Sequence, residues 1–380
     1  MKASRVAPRV FLWALVLLLA LPAGPTFAQG ARPPVKIGVV NPLTGPAALY
    51  GVVAKKAAQM AADEVNARGG ILGGRKLELV FEDDHTSPEG VVNAINKLVN
   101  QDKVDVVTGG MNSSVTMAAK EVTRDRILHF VMAAQAEDIT AKGHKWLFDL
   151  NPTVAQYAQP LLEYIGNRAK PARLAMFVEN TDFGRVNVQV ARQALQGSGT
   201  QLVTVEFHTQ QDTDFSTGLT RIKAANPDAV LLVNAAPAQM PQIWRQMREL
   251  GLEVKRFQSA GTLLPKTARD MGPLAEGIVT AEVWHQDVDA PGNGTFVKAF
   301  QSRFNDAPDK AAALSYSSVL ILAKAMEQAG STDSDKVARA LAAGAYETVL
   351  GQAKFDAKGR NSGKIYLIEV KGGTLTLLGK

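Results

Sequence analysis

Six residues, Gly109-Gly110-Met111-Asn112-Ser113-Ser114, carry the clearest chemistry in the chain. They follow an apolar run, Val104 to Thr108, and open a helical pattern, Ser113 to Arg124. The first turn of a helix leaves about four N–H groups without partners and gathers partial positive charge there. Two glycines let a ligand approach the backbone, and Ser113 adds a hydroxyl donor. The combination suits an anion, above all a carboxylate. Asn112 or Ser113 can equally serve as an ordinary helix cap, and the residues alone leave both readings open.

Other signals are weaker. Gly69 to Lys76 (GGILGGRK) has the glycines of a phosphate-binding loop, but it follows a helical pattern and leads into a strand, the reverse of the required context. It reads as a turn. Glu82-Asp83-Asp84-His85 offers oxygen and nitrogen ligands, yet acids between a strand and a helix start have a simple capping role, and no second ligand cluster accompanies them. The five histidines are scattered, with no HExxH and no GxSxG. No paired acid and base stand out, so an enzyme is not expected, and no cofactor or metal is implied.

The elements that must position these residues alternate regularly. Strand-like runs at Val35 to Val40, Lys76 to Phe81, Val104 to Thr108 and Ile127 to Val131 interleave with helical patterns at Tyr50 to Arg68, Ser87 to Asn100 and Ser113 to Arg124. A second series begins after Asn151-Pro152. Its strands are Arg173 to Val178, Leu202 to Phe207, Ala229 to Val233, Arg256 to Ser259 and a weaker one at Gly277 to Val283. Its helices are Val154 to Asn167, Arg185 to Gln196, Phe215 to Ala225 and Gln239 to Leu250. This alternation predicts an α/β protein of two similar lobes, each a parallel sheet with helices on both faces. Thr295 to Ala343 reads as mostly helical and Lys354 to Leu378 as short strands, so the chain is expected to pass back and forth between lobes. Ligands in such sheets sit beyond the carboxyl ends of the strands. That rule selects the loops Asn41 to Tyr50, Gly109 to Ser114, Met132 to Glu137, Glu179 to Gly184, Asn234 to Gln239 and Ser259 to Leu264.

With 380 residues, 46% apolar, the chain can bury a substantial core, and its length suggests two domains. Lys2, Arg5 and Arg9, an apolar run from Val10 to Leu21, Pro22 and the small-residue stretch before Gln29 read as a signal peptide over residues 1–28, cleaved after Ala28. The run is too short and too broken for a spanning helix. No cysteine occurs, which removes both disulfides and a lipoprotein anchor. An exported protein without an anchor is expected in a periplasm. The leader carries three Lys/Arg and no acid, which leaves +3 of the formal +6. The remaining charges are mixed, with no basic stripe interleaved with aromatics, so a nucleic-acid partner is not expected.

Several segments together resemble the leucine-binding-protein-like family of periplasmic solute-binding proteins, the Venus-flytrap receptors of type I topology. They are PLTGPAALYG (Pro42 to Gly51), ADEVNARGGILGGRKLELVFEDD (Ala62 to Asp84), TGGMNSSVT (Thr108 to Thr116), DTDFSTGLTRIKAANPDAV (Asp212 to Val230) and FDAKGR (Phe355 to Arg360). The resemblance runs over nearly the whole chain beyond the leader. It implies two Rossmann-like lobes joined by three crossovers, residues 35–152 with 284–355 forming one and residues 153–283 with 356–380 the other. It also implies a small-molecule ligand enclosed on lobe closure, and delivery to the permease and ATPase subunits of an ABC importer. A monomer is expected, without membrane insertion after leader cleavage.

By the same resemblance, Ser113 holds a ligand carboxylate, flanked by Met111, Asn112 and Ser114. Ala133-Ala134-Gln135 matches a segment contacting the carboxylate and ammonium of amino-acid ligands, with Gln135 where Ser or Thr is usual. Tyr50 matches a pocket-wall position. Phe183 stands where amino-acid binders commonly have tyrosine, and Ala236 where an aromatic is frequent. The loop matching Ala260-Gly261 commonly carries an acid for the ligand ammonium, but no acid occurs between Arg256 and Lys266. Either Glu179 or Asp182 takes that role, or the ligand has no ammonium. An aliphatic or aromatic carboxylate, a 2-oxo acid or an amide would then fit. Trp284 and His285 lie near the expected third crossover, within reach of a ligand or packed in the hinge. A secreted sensor would use the same cleft as a transport protein, and a secreted amide hydrolase remains a third reading.

Overall fold

Five strands and four helices build the first lobe in strict alternation. They are β1 (Val35–Asn41), α1 (Ala48–Ala67), β2 (Leu77–Asp83), α2 (Pro88–Lys97), β3 (Val106–Gly109), α3 (Ser113–Thr123), β4 (His129–Val131), α4 (Asp138–Ala141) and β5 (Leu147–Asp149). In this computed structural model, residues 32–141 and 144–378 are described, with Met1 and Ala3. Apart from those two residues, the leader read at 1–28 lies outside the described residues. No described helix is long and apolar enough to cross a membrane.

The second series repeats the first. It comprises α5 (Val154–Tyr164), β6 (Arg173–Glu179), α6 (Asp182–Ala194), β7 (Gln201–His208), α7 (Ser216–Ala224), β8 (Ala229–Val233), α8 (Met240–Glu249), β9 (Lys255–Gln258), α9 (Pro265–Met271) and β10 (Val279–Glu282). Then follow α10 (Asn293–Phe304), α11 (Lys310–Ala329), α12 (Ser334–Ala343), the hairpin β11 (Tyr346–Thr348) and β12 (Gly351–Ala353), and β13 (Tyr366–Lys371) with β14 (Thr374–Leu377).

The first sheet has the order β2-β1-β3-β4-β5, all parallel. The second contains the equivalent order, β7-β6-β8-β9-β10, extended by β13 and β14. β13 pairs antiparallel with β10 and β14 antiparallel with β13, so the second sheet is mixed where the alternation predicts a purely parallel one. The strand order reverses between β1 and β3 in one lobe and between β6 and β8 in the other. Each reversal leaves a crevice beyond the carboxyl ends of the two strands, because their following connections leave to opposite faces.

The chain crosses between the sheets after β5, after β10 and after β12, giving the three crossovers expected. On its return it packs α11 along α1, with Ala54, Ala57, Ala58 and Ala61 of α1 and Ala312 and Ala313 of α11 all buried. Small side chains let the two helices approach closely.

Local chemistry explains several helix starts. Ser87 Oγ accepts from Gly90 N–H at 3.0 Å with Pro88 at the first helical position. Thr153 and Gln156 form a reciprocal capping box. Asp309 caps α11 by accepting from Ala312 N–H at 2.9 Å. The last turns after α2 and α5 widen into π-helix over Leu98–Asp102 and Ile165–Ala169, each closed by a lysine in the left-handed region. These replace the α-helical ends that periodicity predicts. The short β5, α4 and α9 carry too few residues for a periodic signal and were not expected.

Candidate functional site

The two reversal points face each other across a cavity of about 340 Å³. Its lobe-1 wall is the loop after β3. Gly109 and Gly110 have φ of +127° and +82°, in the region that favours glycine. A Cβ on Gly109 would collide with the Val40 carbonyl, which itself accepts from Gly110 N–H at 3.2 Å. This turn aims the start of α3 into the cavity. Asn112 stands at the cap position but makes no side-chain capping bond. The simple capping reading therefore does not describe this helix.

Ser113 is buried, and its Oγ accepts from Gln135 N–H at 3.4 Å and Ala136 N–H at 3.2 Å. With both backbone donors on its oxygen, the hydroxyl hydrogen is directed elsewhere, and the cavity lies alongside. Among the described residues no histidine or carboxylate bonds to Ser113, so no general base stands ready to make it a nucleophile.

Nine of the eleven residues singled out from the sequence line the cavity: Tyr50, Met111, Asn112, Ser113, Ser114, Ala133, Gln135, Phe183 and Gly261. Two do not. Ala134 is fully buried behind the loop, where its carbonyl accepts from Arg360 Nη1 at 3.2 Å. Ala236 is turned inward because its N–H donates to Asn234 Oδ1 at 2.7 Å, and Ala235 takes the wall position instead.

Sequence reasoning missed two further loops, Thr86 to Pro88 after β2 and Thr209 to Gln211 after β7. Both also leave the carboxyl ends of their strands, so the same rule would have found them. It also missed Lys310, the first residue of α11. Trp284 and His285 do not line this cavity. Trp284 Nε1 donates to Asn293 Oδ1 at 2.8 Å, and His285 Nε2 lies 3.0 Å from the Leu375 carbonyl oxygen, so both pack the hinge.

The lobes touch directly. Tyr50 Oη donates to the Thr262 carbonyl at 2.6 Å. Ser114 Oγ donates to Asp182 Oδ2 at 3.1 Å and accepts from Asp182 N–H at 3.3 Å. This is a closed arrangement, with the cavity held between the lobes. Asp182 is further engaged by Arg185 at 2.8 Å, and it is not a wall residue.

Behind the lobe-1 wall, Arg360 organises the loop that carries Gln135. Its Nη1 lies 2.8 Å from Asp149 Oδ2, and it donates to the carbonyls of Ala134, Ala136 and Asn151 at 3.2, 2.8 and 3.1 Å. Burial pushes the Asp149 carboxyl upward, and the guanidinium opposes that push.

The lobe-2 wall contains Glu179 at the end of β6. Its carboxylate accepts from Ala235 N–H and Gln210 Nε2, each at 2.9 Å. Burial nevertheless pushes its pKa up. The cluster Glu82 to His85 does not take the capping role expected of it, because Ser87 caps the following helix. Asp83 accepts from Leu43 N–H at 2.9 Å and Thr44 Oγ1 at 2.6 Å, tying the β2 and β1 loops together. Among the described residues no group of three or more His, Cys, Asp or Glu could hold a metal ion.

The family model of periplasmic binding proteins matches residues 34–374. The chain belongs to that family. Among its relatives, the leucine-, isoleucine-, valine-, threonine- and alanine-binding protein of Pseudomonas aeruginosa is 29% identical over 86% of each chain. Two solved binding proteins share the fold. The branched-chain amino acid transporter substrate binding protein of Streptococcus pneumoniae, in complex with isoleucine, matches with a TM-score of 0.84 at 24% identity, covering 91% of this chain and 99% of that one. A solute binding protein of an ABC transporter from R. palustris, in complex with benzoate, also matches with a TM-score of 0.84, at 22% identity, covering 91% and 96%.

Proposed function

We propose that this chain is the periplasmic substrate-binding component of an ABC importer and that it holds a small carboxylate in the interlobe cavity. The observation that carries this reading is the start of α3. It faces the interlobe cavity, has no side-chain cap, and presents a buried serine whose oxygen already accepts two N–H groups. A carboxylate satisfies the free N–H groups and the partial charge together. Capture in an open cleft, closure about the three crossovers and docking of the closed form on the permease follow from the two-lobe construction.

The ligand is read as an acid without an ammonium: an aliphatic or aromatic acid or a 2-oxo acid. No acid stands in the loop from Arg256 to Lys266. Burying an unpaired ammonium costs several kcal/mol, of the order of ~3 or more. The solved relatives named above include both an isoleucine and a benzoate complex, so the fold accepts either class. A branched-chain amino acid is the second reading, and Glu179 favours it, as the one carboxylate on the cavity wall among the described residues.

Thermal-shift and calorimetric titration with leucine, its 2-oxo acid, benzoate and a short amide separates these readings. The 2-oxo acid or benzoate should bind, and leucine should bind more weakly. Ser113→Ala should weaken the bound acid by about 1–3 kcal/mol, the worth of a hydrogen bond to a charged group. An unchanged affinity would remove Ser113 from the site. Loss of uptake on deleting the gene supports transport; intact uptake with a lost transcriptional response would mean a sensor.

A further inference from the structure

Lys310 and Gln135 bring a second group of donors to the cavity wall beside Gly261. Lys310 is buried, yet its side chain reaches the cavity wall. Its Nζ donates to the Gly261 carbonyl and lies 5.9 Å and 5.4 Å from the ring centres of Tyr50 and Tyr157. No carboxylate of the described residues forms an ion pair with it, although an ammonium has three hydrogens to donate. Glu282, the nearby acid, instead accepts from Tyr157 Oη at 2.9 Å. Gln135 is buried as well, and its side-chain amide has no hydrogen-bond partner among the described residues.

These two groups converge. A Cβ built on Gly261 would lie 2.6 Å from Gln135 Nε2 and 2.7 Å from Lys310 Nζ, so two donors carried by lobe 1 both approach Gly261 of lobe 2. Gly261 has φ of +77°, which further favours glycine at the point where both side chains must fit. A cation at the first position of a helix also opposes the helix dipole, so α11 itself gains nothing from it. Burial pushes the Lys310 pKa down, while Glu282 and Asp309 act against that push from a distance. An anionic oxygen between the two nitrogens, on the cavity side of Gly261, would accept from both donors and provide the charge that the ammonium lacks in its immediate surroundings.

We propose that Lys310 and Gln135 form a second anion-recognising end of the cavity, so that the ligand is a short dicarboxylate gripped by Ser113 and α3 at one end and by Lys310 at the other. This rests on the carboxylate reading of the α3 end and names the class of acid more narrowly. Such a site rejects α-amino acids by placing a fixed cation beside the region their ammonium would occupy.

The test uses matched pairs of acids on the purified protein, stripped of endogenous ligand: succinate with butyrate, glutarate with pentanoate, adipate with hexanoate, and terephthalate with benzoate. At least one dicarboxylate should bind ten-fold or more tightly than its monocarboxylate partner, measured by calorimetry. Lys310→Met should abolish that preference while leaving the monocarboxylate affinity within three-fold. Gln135→Leu should reduce the same preference, and serves where Lys310→Met does not fold. Ser113→Ala should weaken both members of a pair alike. A monocarboxylate bound as tightly as its dicarboxylate partner, or a preference that survives Lys310→Met, overturns the proposal while leaving the α3 carboxylate end standing. No binding by any acid of either kind overturns both.

Discussion

Removing the Arg360 guanidinium should cost both stability and affinity, and the size of each follows from its partners. Arg360 and Asp149 are almost completely buried, at 4% and 0% side-chain exposure. Arg360→Met keeps most of the side-chain volume but leaves the Asp149 carboxylate unpaired and three carbonyls without their donor. Breaking a buried pair by removing one partner typically costs about 3–5 kcal/mol. Unfolding entropy of about 2.1 cal/mol/K per residue over roughly 350 residues gives ~0.7 kcal/mol/K, so Tm should fall by roughly 4–7 °C. Two of the abandoned carbonyls, Ala134 and Ala136, flank Gln135, so ligand affinity should fall with stability. Differential scanning calorimetry with and without ligand reads both. The double variant Arg360→Met with Asp149→Asn removes the stranded charge and should recover at least about 1 kcal/mol over the single variant. A Tm within 1 °C of the parent for Arg360→Met, or no recovery in the double variant, would refute the assignment of Arg360 as the clamp on this loop.

Three further outcomes follow from the same geometry. Gly109→Ala puts a Cβ into the Val40 carbonyl at a positive φ; it should destabilise the protein by about 2 kcal/mol or more and abolish binding, and a normal Tm with normal affinity would contradict the strain argument. Asp182→Ala removes the bond to Ser114 that holds the lobes together; affinity should fall about 2- to 10-fold, chiefly through faster dissociation in stopped-flow traces, and an unchanged off-rate would contradict the closed-state role. Asp84 is held by burial at about 7, well above its ordinary value. The native state therefore keeps a proton that the unfolded chain has already lost, and the resulting stabilisation, complete below about pH 4, disappears as pH rises through about 7. The stability of the parent relative to Asp84→Asn, followed by Tm against pH, should fall across that window at up to about 1.4 kcal/mol per pH unit, and a rise would reverse the sign of the argument.

What was legible in the sequence was what is local. Gly109 to Ser114 announced itself because turn, helix start and hydroxyl donor are adjacent, and the alternation of strands and helices gave the two repeated sheets. The carboxyl-end rule selected the loops and the family resemblance the residues within them; nine of those eleven residues line one cavity, with Ala134 and Ala236 displaced by local turns whose direction no pattern encodes. Lys310 was not legible. It stands at a helix start on the return to the first lobe, and only folding brings it to Gly261 and Gln135. Arg360 was visible as part of FDAKGR, but its reach to Asp149 and the Gln135 loop depends on the third crossover lying against β5, where Asp149 N–H donates to the Gly359 carbonyl at 2.8 Å. The antiparallel strands β13 and β14 were foreseen as strands, but sequence pattern does not state which sheet edge, or which direction, a tail strand adopts.

A small acid with no ammonium group is expected in the cavity between the lobes. Mass spectrometry of the molecule released when the freshly purified protein is denatured addresses it most directly. The expected molecule is a carboxylic acid lacking an amine, and within that class a dicarboxylate. Recovery of leucine, isoleucine, valine or any other α-amino acid would contradict it.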